Sequence, residues 1–373
     1  MSQDAFAPFG ARLRIDLDAL CDNWRSLKAR LRSGDCAAVV KADAYGLGAA
    51  QVAPALYRAG CRQFFVAHLN EGIALRPALP ADAAIHVLHG AHPGAEDEFV
   101  RHGLRPVLNS RQQVQAWQAL ADRLGRCLPA ILQVDTGMAR LGLPAEEFAQ
   151  LVATPGGLAG IEVQYLMSHL ASAEDQESPV NRRQLASFRA ALAQLPGVRA
   201  SLANSSGIFL GGDYHFDLAR PGAALYGVAP VAGQANPLRP VIHLQGKVLQ
   251  TRSIAAGTAV GYGHTWTAAR ASRLATVAVG YADGYLRSQS NRGVARCDGV
   301  ALPLVGNISM DTIIVDITDL PEGRIGEGDF LDLADPLNGV DAIAARAGTI
   351  GYEILTSLGR RYAREYIGAA SLS

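Results

Sequence analysis

The sequence predicts a two-part α/β + β protein: an N-terminal (β/α)8 TIM-type barrel followed by a C-terminal, mostly-β domain. Two observations carry this. Over roughly residues 12–235, strand-like apolar runs alternate with segments whose apolar residues recur at helical spacing. After Gln234-Ala235-Asn236-Pro237-Leu238-Arg239-Pro240 the texture changes to strand-like pieces separated by Gly and Pro, with little helix between them. A doubly wound open sheet is the rival for the first part. It calls for a G-x-G-x-x-G after the first strand, and none is there.

Taken in order, Leu13-Arg14-Ile15-Asp16-Leu17 alternates as a strand does, and a helical stretch through Leu20, Trp24 and Leu27 follows. The barrel strands are read at 37–41, 63–68, 84–89, 104–109, 130–135, 160–169, 200–204 and 216–220. Helical spacing is carried between them by Val114, Trp117, Ala121 and Leu124, and by Leu185, Phe188, Leu192 and Leu195. The two links around Asn204 are shorter and less clearly helical. The barrel is assigned to residues 12–237 and the mostly-β domain to 238–373, with 1–11 expected to pack against the latter. In the second domain, strands are expected near 241–249, 274–279 and 312–317, and a short helix near 342–347.

Composition excludes several classes of function. Lys plus Arg equals Asp plus Glu at 34 each, so no net field draws the chain to nucleic acid or an anionic membrane. No run is apolar for long enough to span a bilayer. Met1 to Gly10 carries Asp4 and lacks a basic start, so no signal peptide is expected. The cysteines, Cys21, Cys36, Cys61, Cys127 and Cys297, are odd in number and form no C-x-x-C pattern. That fits thiols in a reducing compartment and a cytoplasmic protein, without a disulfide framework or a zinc site.

In a barrel of this kind the chemistry lies at the C-terminal ends of the strands. Those ends supply Lys41, His68, His89, Asn109, Asp135, His169, Asn204-Ser205 and Arg220. Lys41 closes a buried strand, where burial depresses an amine's pKa and favours the neutral nucleophile. On the strand alone, a lysine that snorkels out of the strand end fits as well. No Asp/Glu/His cluster has metal-ligand spacing and no G-x-S-x-G is present, so no metal is expected. The loops Asn204-Ser205-Ser206-Gly207 and Arg220-Pro221-Gly222-Ala223 offer hydroxyls and Gly-flanked N–H groups where barrels commonly hold a phosphate. Read plainly they are two ordinary turns. A phosphate-bearing cofactor opposite a strand-end lysine points to pyridoxal 5'-phosphate.

Seven motifs then carry a resemblance that spans nearly the whole chain. They are Val40-Lys41-Ala42-Asp43-Ala44-Tyr45-Gly46, Asp135-Thr136-Gly137-Met138-Ala139-Arg140-Leu141-Gly142, Ala219-Arg220-Pro221-Gly222, Gly261-Tyr262-Gly263-His264-Thr265-Trp266, Gly280-Tyr281-Ala282-Asp283-Gly284-Tyr285, Ser309-Met310-Asp311 and Gly351-Tyr352-Glu353. The sequence resembles the alanine racemases, fold-type III pyridoxal-phosphate enzymes with a barrel and a β domain. The resemblance implies that Lys41 holds the cofactor as a Schiff base and then moves a proton on one face of the substrate α-carbon. It implies Tyr262 as the opposite-face partner, supplied by the other subunit of a homodimer, with His169 and Arg220 in the network that favours its phenolate. Arg220 would hydrogen-bond the pyridine nitrogen and, staying protonated, leave that nitrogen largely unprotonated. Tyr45, Ser205 with its neighbour Asn204, the backbone around Gly222 and Ala223, and Tyr352 would hold the phosphate. Arg140 and the Met310 N–H would hold the substrate carboxylate. Without the resemblance, Tyr262, Tyr281 and Tyr352 read as packing residues of a β domain.

Two departures from the family pattern stand out. Many members have a carbamylated lysine two residues before the Asp-Thr-Gly-Met motif; Gln133 stands there and is expected to support Arg140 through its neutral amide, with a bound anion nearby as one option. Ser309 stands where some relatives have cysteine. The activity implied is interconversion of L- and D-alanine, supplying D-alanine for peptidoglycan, with serine or larger substrates and a catabolic role left open. Rival readings are a decarboxylase of the same fold type, which would place an acidic residue where Arg220 stands, and a single-barrel pyridoxal-phosphate-binding protein, which would lack Tyr262 and Met310.

Overall fold

The computed structural model describes residues 8–368, so residues 1–7, part of the expected N-terminal packing segment, lie outside the described residues. By its internal contacts the chain forms two units. One comprises Leu20–Leu225 with Ala229–Leu238; the other takes the chain up to Ala19, Tyr226–Val228, and everything from Arg239 onward.

The first unit is a parallel barrel. Ala38–Val39, Gln63–Val66, Ala84–Val87, Leu104–Leu108, Leu128–Gln133, Ile161–Met167 and Ala200–Ser201 pair in chain order. An eighth strand closes the ring. Leu218–Ala219 lies parallel to Asp35–Cys36, which begins the first barrel strand, and Arg220 bridges to Asn204 at the end of the seventh. Phe64, Phe65, Ile85, Val87, Val107 and Ile131 are fully buried, as expected where helices cover the outside of a parallel sheet and side chains fill its inside. The helix Arg111–Leu124 shows how the connections form. Ser110 Oγ accepts the Gln113 N–H at its start, Gly125 ends it at φ 62°, and Val114, Trp117, Leu120 and Ala121 face inward. Leu124, expected on that inner face, is 38% exposed, and Leu120 takes the place one turn earlier. The links flanking Ala200–Ser201 and Leu218–Ala219 are uneven: a full helix, Pro179–Leu192, precedes the former, while only short 3-10 turns lie between the two.

The second unit is organised around Ile242–Ile254, a 13-residue strand. It pairs antiparallel with Ala11–Asp16, with Phe330–Ala334 and with Ser272–Val277. Ala11–Asp16 alternates buried and half-buried residues and pairs on its other edge, in parallel, with Ala363–Ile367. The boundary expected at residue 12 therefore falls inside a strand of the β unit: residues 11–16 belong to this sheet, and the chain passes into the barrel unit within the helix Leu17–Arg30. Two helices, Val340–Ala347 and Gly351–Ser357, complete the unit; the second had no counterpart in the sequence reading.

Candidate active site

Parallel strands bring all their C-terminal ends to one rim of the barrel, so the strand-end residues share that rim by topology. Lys41 differs from expectation in its backbone. The strand stops at Val39, and Lys41 opens a turn, Lys41–Tyr45, in which Ala42, Asp43, Ala44 and Tyr45 all have φ of 54–55°. Left-handed backbone costs L-residues roughly 1–2 kcal/mol each, so four in succession need holding. Ala44 N–H donates to Val40 O at 2.9 Å, Gly46 N–H to Ala42 O at 2.8 Å and Gly48 N–H to Asp43 O at 2.8 Å. Asp43 Oδ1 accepts the Ala49 N–H at 2.7 Å. The Lys41 amine is pulled below its usual range, first by burial and then by the Arg140 guanidinium, with Glu71 opposing.

Three more groups share this environment. Arg220, 4% exposed, donates to Ser201 Oγ at 2.5 Å and to Ser168 O at 2.7 Å, and its Nη2 lies 3.4 Å from His169 Nδ1. Burial draws its guanidinium down to about 9, still protonated at neutral pH. His169 is pushed down to about 3 by burial and then by Arg220, Arg140 and Lys41, so it is a neutral imidazole that accepts from Arg220. Arg140 is exposed and lies beyond a turn that Asp135 builds by accepting the Gly137, Met138 and Ala139 N–H groups. Gln133 does not reach the Arg140 guanidinium directly. Its Nε2 donates to Leu141 O at 3.1 Å, so it braces the chain next to Arg140.

The two loops read as a phosphate cradle also meet. Ser205 Oγ accepts the Gly222 N–H at 2.9 Å and the Ala224 N–H at 3.3 Å, which leaves its own proton to donate. Asn204 Oδ1 accepts the Gly207 N–H at 2.8 Å and so shapes its own loop. The Gly222 N–H is thus occupied, whereas the Ala223 N–H has no acceptor among the described residues. A Cβ at Gly222 would sit 2.3 Å from the Tyr45 hydroxyl, so only glycine lets that phenol approach the loop. A hydroxyl, a phenol, an open N–H and a buried arginine whose Nε–H has no acceptor among the described residues suit a phosphate and a ring nitrogen. His68 and His89 pair with each other, Nδ1 to Nδ1 at 3.3 Å, and Asn109 Nδ2 is used on Leu88 O and Val107 O.

The β unit carries the other motifs. Tyr262 sits on a 3-10 turn, Tyr262–His264, between glycines with φ of 72° and 69°, and is 73% exposed. Asn307 Nδ2 donates to Tyr262 O at 2.8 Å and ties this turn to the chain before Met310. Gly280 packs on Met310 so closely that a Cβ would meet its carbonyl oxygen at 2.3 Å. Asp283 accepts from the Gly280 N–H and from Arg361, whose other arm reaches Asp311 at 2.7 Å. This clamp fixes the Met310 turn while the Met310 N–H itself has no acceptor among the described residues. Tyr352 is 40% exposed on the helix Gly351–Ser357. The sequence reading missed Glu71, Ser201, Arg361 and Gln184, whose Nε2 donates to His169 O at 2.9 Å; of these only Glu71 had a local signal, a capping-box position three residues after His68.

Residues 15–230 match the family model of the alanine racemase N-terminal domain, and residues 241–366 that of the C-terminal domain. The chain belongs to the alanine racemase family. It is 53% identical over 359 residues to the alanine racemase of Rhodospirillum rubrum, covering 96% of each chain. It is 52% identical over 362 residues to the catabolic alanine racemase of Mesorhizobium japonicum, covering 97% of this chain and 94% of that one. Among solved structures, the Bartonella henselae alanine racemase with covalently bound pyridoxal phosphate matches at TM-score 0.92 and 46% identity, over 96% of this chain and 99% of that one. The biosynthetic alanine racemase of Pseudomonas aeruginosa matches at TM-score 0.88 and 36% identity, over 96% and 100%. Among the described residues, no helix is long and apolar enough to cross a membrane, and no group of His, Cys, Asp and Glu could hold a metal ion.

Proposed function

We propose that the protein interconverts L- and D-alanine with pyridoxal 5'-phosphate held on Lys41, as a cytoplasmic homodimer that supplies D-alanine for peptidoglycan. The observation that carries this reading is the Lys41 amine. It is set on a tightly bonded left-handed turn, its pKa is lowered, and it shares one barrel rim with the Ser205–Gly222 loop pair. Bound there, the cofactor supplies an electron sink that makes the substrate α-proton acidic.

The chain's own residues do the rest. Tyr45, the Ser205 hydroxyl and the Ala223 N–H would donate to the phosphate, with Tyr352 beside them and with Asn204 and Gly222 shaping the loops. Arg220, oriented by Ser201 and Ser168, would present its Nε–H to the ring nitrogen, and neutral His169 would hold it from the side. Arg140 and the Met310 N–H would take the substrate carboxylate by charge-assisted hydrogen bonds. A planar carbanion must be protonated from its own side on each face, which requires two groups. Lys41 Nζ, its proton affinity lowered by burial and by Arg140, serves one face, and the hydroxyl of the partner's Tyr262 serves the other.

The test is to incubate the purified protein with single enantiomers of alanine, serine and larger amino acids and follow loss of optical rotation. Racemisation of alanine by the wild type, with no activity and no visible cofactor absorbance in Lys41→Ala, is the expected result. Bound pyridoxal phosphate without racemisation of alanine would sink the proposal.

A further inference from the structure

The turn that carries Lys41 is anchored from outside itself. Glu71 is the third residue of the helix Leu69–Leu75, next along the rim. Its Oε1 accepts the Ala42 N–H at 2.6 Å, and its Oε2 accepts the Ala67 N–H at 2.7 Å and the His68 N–H at 2.9 Å. Three backbone donors therefore converge on one carboxylate: the amide directly after Lys41 and two at the end of the neighbouring strand. No cation pairs with Glu71 among the described residues. A helix cap needs only the second set of bonds. The bond to Ala42 serves the left-handed turn instead.

We infer that Glu71 is a positioning residue for Lys41: it fastens the left-handed turn to the rim and keeps a negative charge facing the amine. The other groups facing Lys41 are the Arg140 guanidinium and the imidazoles of His89 and His169, both of which the surroundings hold toward the neutral form. Among the described residues, Glu71 is thus the one anion set against Arg140 at the Lys41 amine. It limits how far the amine's proton affinity falls, so that Lys41 keeps the ability to take a proton back as well as give one up. This inference builds on the proposed use of Lys41, but its geometry involves no cofactor.

The test reads the amine directly. The full chain, freed of cofactor, is labelled with acetic anhydride across about pH 6–10, and acetylation of Lys41 is followed by peptide mass spectrometry alongside amide hydrogen exchange. A glutamine has one acceptor oxygen, so Glu71→Gln cannot serve both sides. With the charge gone, the Lys41 reactivity midpoint should fall by roughly 0.5–1 pH unit. The Ala42 amide should exchange roughly tenfold faster or more than in the wild type. Glu71→Asp keeps the charge but shortens the reach, so it should loosen Ala42 while leaving the midpoint near that of the wild type. An unmoved midpoint in Glu71→Gln, or faster exchange confined to residues 67–75, would reduce Glu71 to a helix cap and overturn the inference. A midpoint shift in Glu71→Asp as large as that in Glu71→Gln would also overturn it. Because labelling needs neither pyridoxal phosphate nor turnover, this result is separable from failure of the racemase reading.

Discussion

Replacing Gly222 by alanine tests whether the Tyr45 phenol and the second phosphate loop form one cradle. The added Cβ would lie 2.3 Å from the Tyr45 hydroxyl oxygen, 3.1 Å from its Cζ and 3.4 Å from Val39 Cβ. Ordinary contact is about 3.5 Å, so the phenol tip must move by roughly 1 Å. Tyr45 is buried, and its backbone is fixed at φ 55° by the left-handed turn, so the ring cannot swing away freely. Overpacking of this kind costs about 1–3 kcal/mol of stability. Losing a hydrogen bond to a charged phosphate costs about 1.5–3 kcal/mol of binding, or roughly 10- to 150-fold in affinity. The assay titrates cofactor-free protein with pyridoxal phosphate by visible absorbance, with thermal melting alongside. In a Tyr45→Phe background the oxygen is gone and only the 3.1 Å and 3.4 Å contacts remain, so the same substitution should weaken affinity less than about threefold. Wild-type affinity in Gly222→Ala, or an equal penalty in both backgrounds, would refute the cradle.

Other predictions concern burial and charge. His86 is fully buried inside the barrel, its Nε2–H donating to Gln63 Oε1 at 2.7 Å, and burial, followed by Arg105 and Arg199, pushes it down to about 3. Between that value and about 6.5 only the unfolded chain takes up the proton, so this contribution is complete above pH 6.5 and is lost as pH falls. Urea unfolding should show about 2 kcal/mol more loss between pH 7 and pH 5 in the wild type than in His86→Gln; equal losses would contradict the sign argument. Gln133 cannot be carbamylated and braces Leu141 O, so exhaustive removal of bicarbonate should leave turnover unchanged. A reversible loss of activity on that treatment would show that a carboxylated group supports Arg140 after all.

The barrel and its rim could be read from the sequence because parallel strands buried on both faces appear as continuous apolar runs, as in Phe64-Phe65-Val66 and Ala84-Ile85-His86-Val87. Once those runs are placed, their ends follow, and with them Lys41, His169, Asn204 and Arg220. The handedness of the turn after Lys41 could not be read. Ala42-Asp43-Ala44-Tyr45 holds no glycine to mark a left-handed backbone, and the bond that ties it down from outside comes from Glu71, 29 residues away from Ala42. The place of residues 11–16 was equally hidden: that strand pairs with residues 242–246 and 363–367, and nothing local specifies partners so distant in sequence. The Asp283–Arg361–Asp311 clamp escaped notice for the same reason, since Arg361 lies outside every motif that drew attention.

The division of labour between Lys41 and Tyr262 is the central claim, and isotope exchange tests it most directly. In D2O, Tyr262→Phe should keep its visible cofactor absorbance, and solvent deuterium should enter the α-position of one enantiomer of alanine at a near-normal rate while exchange of the other falls by orders of magnitude. Equal exchange of both enantiomers in that variant would contradict the assignment of one base to each face.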